Sequence, residues 1–392
     1  MKDKAIYVSG MGVISALGTG VEAQFAALKE GRSGVGEMRV LDSVHREIPV
    51  GEVKTDNRTL CGILGLEYDE EIPRTALLEA ISVKEALSMA GLGDNAPSGI
   101  ALVSGTTVGG MDKFEQNRAE ITINTCGCAC DLTLGLFPQI DFATTVSTAC
   151  SSAANALMFA ADLIRTGRYE IVVAGGSECL SKFHLNGFNS LMILDSHNCR
   201  PFDAGRAGLN LGEGAGYLVL ESGRSLRSRK AAALCEFSGY GNACDAFHQT
   251  ASSPQGDGAF LSMTKALSMS GLRPQDISCI NAHGTGTVNN DLSEGKALER
   301  VFGCGKVPPV FSTKAYTGHT TSASGGIEAV FCILSLLHDF MPKSLGFSTR
   351  IEDLSFEPVR QASWDCGLTH VLDNAFGFGG NDSSMIFSKI SG

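Results

Sequence analysis

The chain is short of positive charge. Its 392 residues hold 31 lysines and arginines against 42 aspartates and glutamates, a net charge of −11. That balance excludes a general nucleic-acid binder, while leaving room for a local basic patch that faces an acidic partner. Aromatic residues are scarce as well, 7% of the chain with a single tryptophan, whereas glycines number 47. Elements of such a chain pack closely through small side chains rather than around large rings. The 13 cysteines are odd in number and follow no framework spacing. Reduced thiols in a cytoplasmic enzyme are therefore expected, not a disulfide scaffold. The first residues, Met1-Lys2-Asp3-Lys4-Ala5-Ile6, contain no apolar core of the signal-peptide kind. The longest apolar helix candidate, 327–337, carries Glu328 and is too short to cross a bilayer. No membrane and no nucleic acid are expected as partners. Cys126-Gly127-Cys128-Ala129-Cys130 has no second ligand pair elsewhere, so no metal site is expected there.

What is present alternates strand and helix. Residues 5–10 read as a buried strand, 21–29 as a helix, 75–90 as an amphipathic helix and 100–105 as a second buried strand. Residues 32–73 are polar and irregular. This alternation predicts an α/β protein. A faint repeat follows. The stretch 100–108 is similar to 277–288, the stretch leading to Cys150 to 310–319, and 170–176 to 369–377, in the same order. Two copies of one βαβ-type unit are expected, with halves 1–228 and 229–392 and a solvated connection at 222–230.

One stretch organises the rest. Thr144, Thr145 and Val146 form a β-branched run that passes through small residues to Cys150, and an alanine-rich helix, 151–165, follows up to Gly167. A cysteine on such a strand-to-helix turn lies at the positive end of the helix dipole, which favours the nucleophilic thiolate. Ala149, Ser151 and Ser152 leave room for a bulky substrate. Duplicated halves place equivalent turns face to face, which predicts that Cys150, His283 and His319 share a cavity.

Four motifs occur in order: Thr148-Ala149-Cys150-Ser151-Ser152, Asn281-Ala282-His283-Gly284-Thr285-Gly286-Thr287, Ser312-Thr313-Lys314 with Thr317-Gly318-His319, and Phe376-Gly377-Phe378-Gly379-Gly380. Together they resemble the elongating β-ketoacyl-acyl-carrier-protein synthases of the Cys-His-His type, over nearly the whole chain. The resemblance implies the thiolase fold, an α/β architecture of five αβαβα layers built from two similar halves. It also implies an acyltransferase that joins an acyl thioester to a malonyl unit with loss of carbon dioxide, in fatty acid, polyketide or aryl polyene synthesis. Cys150 would carry the acyl group, a task suited to a soft nucleophile. The backbone N–H groups of Cys150 and Phe378 would form the oxyanion hole. His283 and His319 would hold the enolate, and Lys314 would steady them through His319 and Glu328. Thr285, Thr287 and Thr250 would bind the pantetheine arm, and Phe378 would gate the acyl pocket. No permanent cofactor is implied; substrates would ride on the phosphopantetheine of an acyl carrier protein. That partner is acidic, so a basic contact is expected; Arg200 matches such a position, and Arg74, Lys113 and Arg118 are candidates by charge. A homodimer, or a heterodimer with a related subunit, is implied through the strand before Cys150. The segment 125–134 is expected to line the acyl tunnel.

The sequence departs from the pattern at Ala207, where an aspartate is usual, at Thr321-Ser322 and at Asn381-Asp382. Two other readings stand beside this one. A chain-length-factor-like subunit would have lost the cysteine, which is present. A thiolase using coenzyme A would carry a late catalytic cysteine, a setting Cys366-Gly367 does not match.

Overall fold

The computed structural model describes residues 5–93, 99–116 and 125–390; Arg118 lies outside them. Among the described residues ten strands follow one another across the main sheet, with the two-residue strand Gly18–Thr19 beside the first: β1 (Ile6–Ser15), β2 (Ile100–Gly105), β3 (Ile140–Val146), β4 (Ile171–Glu178), β5 (Gly214–Ser222), β6 (Cys235–Cys244), β7 (Cys279–Asn281), β8 (Val310–Phe311), β9 (His370–Gly377) and β10 (Asn381–Ser388). Strands β1, β2, β4 and β5 are buried at every residue, the condition of a sheet covered on both faces, and their sequences accordingly do not alternate.

The first half runs β3-β2-β4-β5-β1 and the second β8-β7-β9-β10-β6. Adding five to each label of the first order gives the second. The directions repeat too. β2 is parallel to β3 and β4, while β5 is antiparallel to β4 and β1. Likewise β7 is parallel to β8 and β9, while β10 is antiparallel to β9 and β6. The halves meet where β1 pairs with β6, through Tyr7 with Glu236 and Val8 with Cys235.

Helices complete the layers: α1 (Arg74–Met89), α2 (Cys128–Leu136), α3 (Ser152–Arg165), α4 (Lys182–Ser190), α5 (Asp257–Ser270), α6 (Val288–Phe302) and α7 (Ser324–His338). α1 covers the outer face of the first half, and α5 that of the second, with α6 packed on it. α3 and α7 lie between the halves, α7 touching β5 of one and β9 of the other. The result is the α/β layering of the thiolase fold. The stretch Thr321–His338 is apolar because it fills this middle layer, 89% of it buried. Glycine is needed where layers touch. A Cβ at Gly326 would stand 2.2 Å from the Gly216 carbonyl oxygen, and one at Gly105 would stand 2.6 Å from the Ala153 nitrogen.

The connection at 222–230 is a short helix, Gly223–Arg229, capped by Ser222, with Arg224, Arg227 and Lys230 exposed. Arg229 ties it down, bonding Glu221 at 2.7 Å and the Ala90 carbonyl at 3.1 Å. Within 32–73 a helix forms at Asn57–Leu64, because Asp56 Oδ1 accepts from the Thr59 N–H at 2.8 Å and caps it.

Candidate active site

The nucleophile turn is built by its own hydroxyls. Ala149 takes a left-handed φ of 51°, a strained conformation for a residue with a Cβ. Ser152 Oγ accepts from the Thr148 N–H at 2.9 Å and donates to the Ala149 carbonyl at 2.6 Å, while Ser151 Oγ donates to the Thr148 carbonyl at 2.8 Å. Asn155, one turn on, donates to Thr148 Oγ1 at 2.8 Å. These bonds hold Cys150 between β3 and α3, 5% exposed. From the other half, the end of β9 approaches so closely that a Cβ at Gly377 would be 3.0 Å from the Cys150 nitrogen. The Phe378 N–H then points at the sulfur, beside that of Cys150 itself.

The electrostatics correct one expectation. Burial pushes the Cys150 thiol up to about 12, and Glu178 adds to the rise. Lys314 and the Phe378 N–H pull it down without reversing it. Desolvation of the thiolate outweighs both pulls, so the resting residue is a thiol that must give up its proton during attack. A raised value means that the thiolate fraction grows with pH. Alkylation of Cys150 by iodoacetamide is therefore expected to rise about tenfold per unit from pH 7 through pH 10. A plateau below pH 8, read by mass spectrometry, would contradict this.

His283 follows β7 on a loop whose glycines adopt positive φ, 40° at Gly284 and 82° at Gly286. Buried Glu294 fixes that loop, accepting from the His283 and Gly284 N–H groups at 2.9 Å each and from Asn374 at 3.0 Å. Burial pushes Glu294 up to about 7 against these bonds. His319 donates its backbone N–H to the Asn210 carbonyl at 2.6 Å, and its Nδ1 lies 3.0 Å from Ser324 Oγ. The two rings meet edge to face, centroids 5.2 Å apart. Burial, and then the charge of Lys314, hold both imidazoles well below their usual range, so both are neutral at neutral pH. Lys314 donates to Glu328 at 2.6 Å; it acts on His319 through its field, not through a hydrogen bond.

Cys150, His283, His319, Thr250, Thr285, Thr287 and Phe378 line one cavity of about 360 Å³. Three separate turns of the two halves thus meet there, as their sequence order predicts. Thr285 and Thr287 hydroxyls bond each other at 2.9 Å. The Phe378 ring stacks on Phe188 of α4, centroids 5.5 Å apart.

Other candidates fall elsewhere. Arg74 is corrected: it is 5% exposed and its guanidinium is consumed by Glu213 at 2.7 Å, the Val53 and Thr55 carbonyls and Asn57. It braces the first half and offers a carrier protein nothing. Lys113 is 3% exposed, beside Asp112. Arg200 keeps a side chain 35% exposed, 3.7 Å from Asp195. The segment 125–134 does not line the cavity; its α2 residues Cys130, Leu132 and Leu134 belong to the outer apolar layer under α1. Thr321 and Ser322, departures from the usual pattern, donate to buried Glu178, which also accepts from Thr106 and Thr107. No local pattern in the sequence marks Glu294, Asn374, Glu178 or Ser324. A buried acid is legible in one sequence only through its partners, and those arrive from distant strands.

Residues 3–225 match the β-ketoacyl synthase N-terminal domain, and residues 234–348 match the β-ketoacyl synthase C-terminal domain. The chain belongs to the β-ketoacyl synthase family. The 3-oxoacyl-[acyl-carrier-protein] synthase 2 of Staphylococcus aureus (strain N315) is 29% identical to it over 412 residues, covering 99% of both chains. Nodulation protein E of Rhizobium meliloti (strain 1021) is 32% identical over 422 residues, covering 99% of this chain and all of that one. The solved structure of the ishigamide ketosynthase/chain length factor superposes with a TM-score of 0.92 at 28% identity, both chains covered in full. A ketosynthase, ApeO, solved in complex with its chain length factor, ApeC, from Xenorhabdus doucetiae gives 0.84 at 28% identity over 98% of each. This β-ketoacyl synthase is thus an acyltransferase of thiolase fold.

Proposed function

We propose that Cys150, His283 and His319 carry out a decarboxylative condensation between an acyl thioester and a malonyl thioester, both delivered by an acyl carrier protein. The observation that carries this reading is the meeting of one thiol, two neutral imidazoles and the Phe378 N–H in a single cavity. Cys150 Sγ attacks the acyl carbonyl, its proton passing to an imidazole and then to the departing pantetheine sulfur. The Sγ–C bond forms as the pantetheine C–S bond breaks, and the N–H groups of Cys150 and Phe378 take the charge on the oxygen. The malonyl group then enters. Its carboxylate leaves as carbon dioxide, and the electron pair becomes an enolate whose oxygen accepts from His283 and His319. Neutral imidazoles suit this task, since each presents an N–H without a charge that would bind the malonyl carboxylate and oppose its loss. The enolate carbon attacks the acyl carbonyl, the C–Sγ bond breaks, Sγ leaves as a thiolate that takes a proton from solvent to restore the resting thiol, and the extended chain departs on the carrier.

Thr250, Thr285 and Thr287, which line the cavity, bond the pantetheine amides in this reading. Phe378, stacked on Phe188, acts in it as the gate to the acyl pocket. Arg200 is the carrier contact that keeps an accessible guanidinium. The domain division falls at 1–228 and 229–392. β3 is the edge strand of the first half, with Phe142 39% exposed. An uncovered edge with an apolar side chain needs a partner. We assign it to a second ketosynthase-type subunit, identical or related; an active monomer in sedimentation equilibrium would remove that assignment. All 13 cysteines are free, which supports a reducing compartment, the cytoplasm.

The reading is tested by offering the protein a panel of acyl carrier thioesters and weighing what adds to Cys150. One acyl mass at Cys150, chased off by malonyl carrier as a product two carbons longer, is expected. No adduct from any carrier thioester, with adducts from acyl coenzyme A, would favour a thiolase-like enzyme instead.

A further inference from the structure

The two histidines are not held alike. His283 Nδ1 is buried without a hydrogen-bond partner among the described residues, whereas His319 Nδ1 faces Ser324 Oγ at 3.0 Å. Ser324 opens α7 and is 2% exposed. Its hydroxyl has one further neighbour, Thr320 Oγ1 at 3.3 Å, and that is the only hydrogen bond of the Thr320 hydroxyl among the described residues. Thr320 is itself 2% exposed.

We propose that Ser324 is a positioning residue for His319: its hydroxyl donates to Nδ1 and thereby keeps the imidazole hydrogen on Nε2. The inference rests on the role given above to His319 as an enolate donor. The direction of the bonds follows from counting hydrogens. If Thr320 Oγ1 donates to Ser324 Oγ, and Ser324 Oγ donates to Nδ1, every hydrogen in the chain has an acceptor. In the reverse order Nδ1–H donates to Ser324, Ser324 donates to Thr320, and the Thr320 hydrogen has nowhere to go. A buried donor without an acceptor is the costlier outcome. The forward order also gives the chemistry what it needs. An Nε2–H can donate to an enolate oxygen, whereas a bare Nε2 lone pair would repel it. No such device serves His283, so its behaviour is an internal control.

The test uses the full-length protein labelled with ¹⁵N-histidine. In the wild type, long-range ¹H–¹⁵N spectra are expected to show His319, assigned by its loss in His319→Ala, as the Nε2–H tautomer. In Ser324→Ala the same signal is expected to move toward the average of two tautomers, with His283 unchanged. Malonyl decarboxylation should fall about five- to tenfold in Ser324→Ala. KM for malonyl carrier and the rate of Cys150 acylation should stay within about twofold. Ser324→Thr keeps the hydroxyl and should restore both the tautomer and the rate. Thr320→Val removes the outer link and should shift the tautomer less. An Nδ1–H tautomer in the wild type overturns the proposal whatever the activity. So does an unchanged His319 signal in Ser324→Ala, or a loss shared equally by acylation and decarboxylation that threonine does not repair. A wild type that shows the tautomer but decarboxylates no malonyl thioester would refute the role of His319, and with it the purpose of the device.

Discussion

Cys150→Ala is expected to abolish condensation, by at least about 10⁴-fold, because removing a covalent nucleophile leaves only binding and oxyanion stabilisation. Among the described residues that line the cavity no other thiol can replace it: the remaining groups are imidazoles, hydroxyls, the carboxamides of Asn289 and Asn290, and apolar walls. The loss should not come from unfolding. The turn is held by Ser151, Ser152 and Asn155, none of which bonds the sulfur, and a buried one-atom deletion of this kind costs about 1 kcal/mol. Intact-mass analysis after incubation with acyl carrier thioester should show no adduct, with a melting temperature close to that of the wild type. Malonyl decarboxylation should persist, since its two imidazoles are untouched. Acylation of the variant at the wild-type rate would dismiss Cys150 as the nucleophile.

How far the sequence reaches is clearest at this turn. A β-branched run, small residues, a cysteine and an alanine-rich helix are local features, and they predict the elbow to within a residue: the helix starts at Ser152 where 151 was expected. The repeat is legible because the same order of strand, turn and helix recurs, and the sheet repeats it strand for strand. What local pattern cannot carry is desolvation. The dipole at Cys150 is written in the sequence, but the burial that raises its thiol comes from packing between distant elements, the end of β9 at Gly377 among them. Arg74 fails for the same reason. Its charge reads as a surface contact until Glu213, 139 residues away, closes over it. Glu294 and Ser324 are ordinary residues of helix starts and interiors until their partners, the His283 backbone and the His319 ring, are known.

Replacing either histidine by alanine should separate the two half-reactions. The enolate needs two donors at once, so His283→Ala and His319→Ala are each expected to lower malonyl decarboxylation by about 10²–10³-fold, the usual worth of one preorganised donor to a developing oxyanion. Acylation needs only one proton acceptor for the Cys150 thiol. Either imidazole lines the cavity beside it, and the remaining one can take the proton, so acylation should fall far less. The pH dependence sharpens the distinction. Because burial holds the thiol up to about 12, its thiolate fraction increases across the whole accessible alkaline range, and raising the pH supplies what a missing base no longer does. Acylation of each variant should therefore recover toward the wild-type rate between pH 7 and pH 10. Decarboxylation should not, because hydroxide cannot replace a hydrogen-bond donor, and both imidazoles are neutral throughout that range. Single-turnover acylation and carbon dioxide release, timed separately at each pH, decide the matter. Equal defects in the two steps, or recovery of both with pH, would mean that the histidines act chiefly as bases for Cys150 and that the enolate is held by other groups.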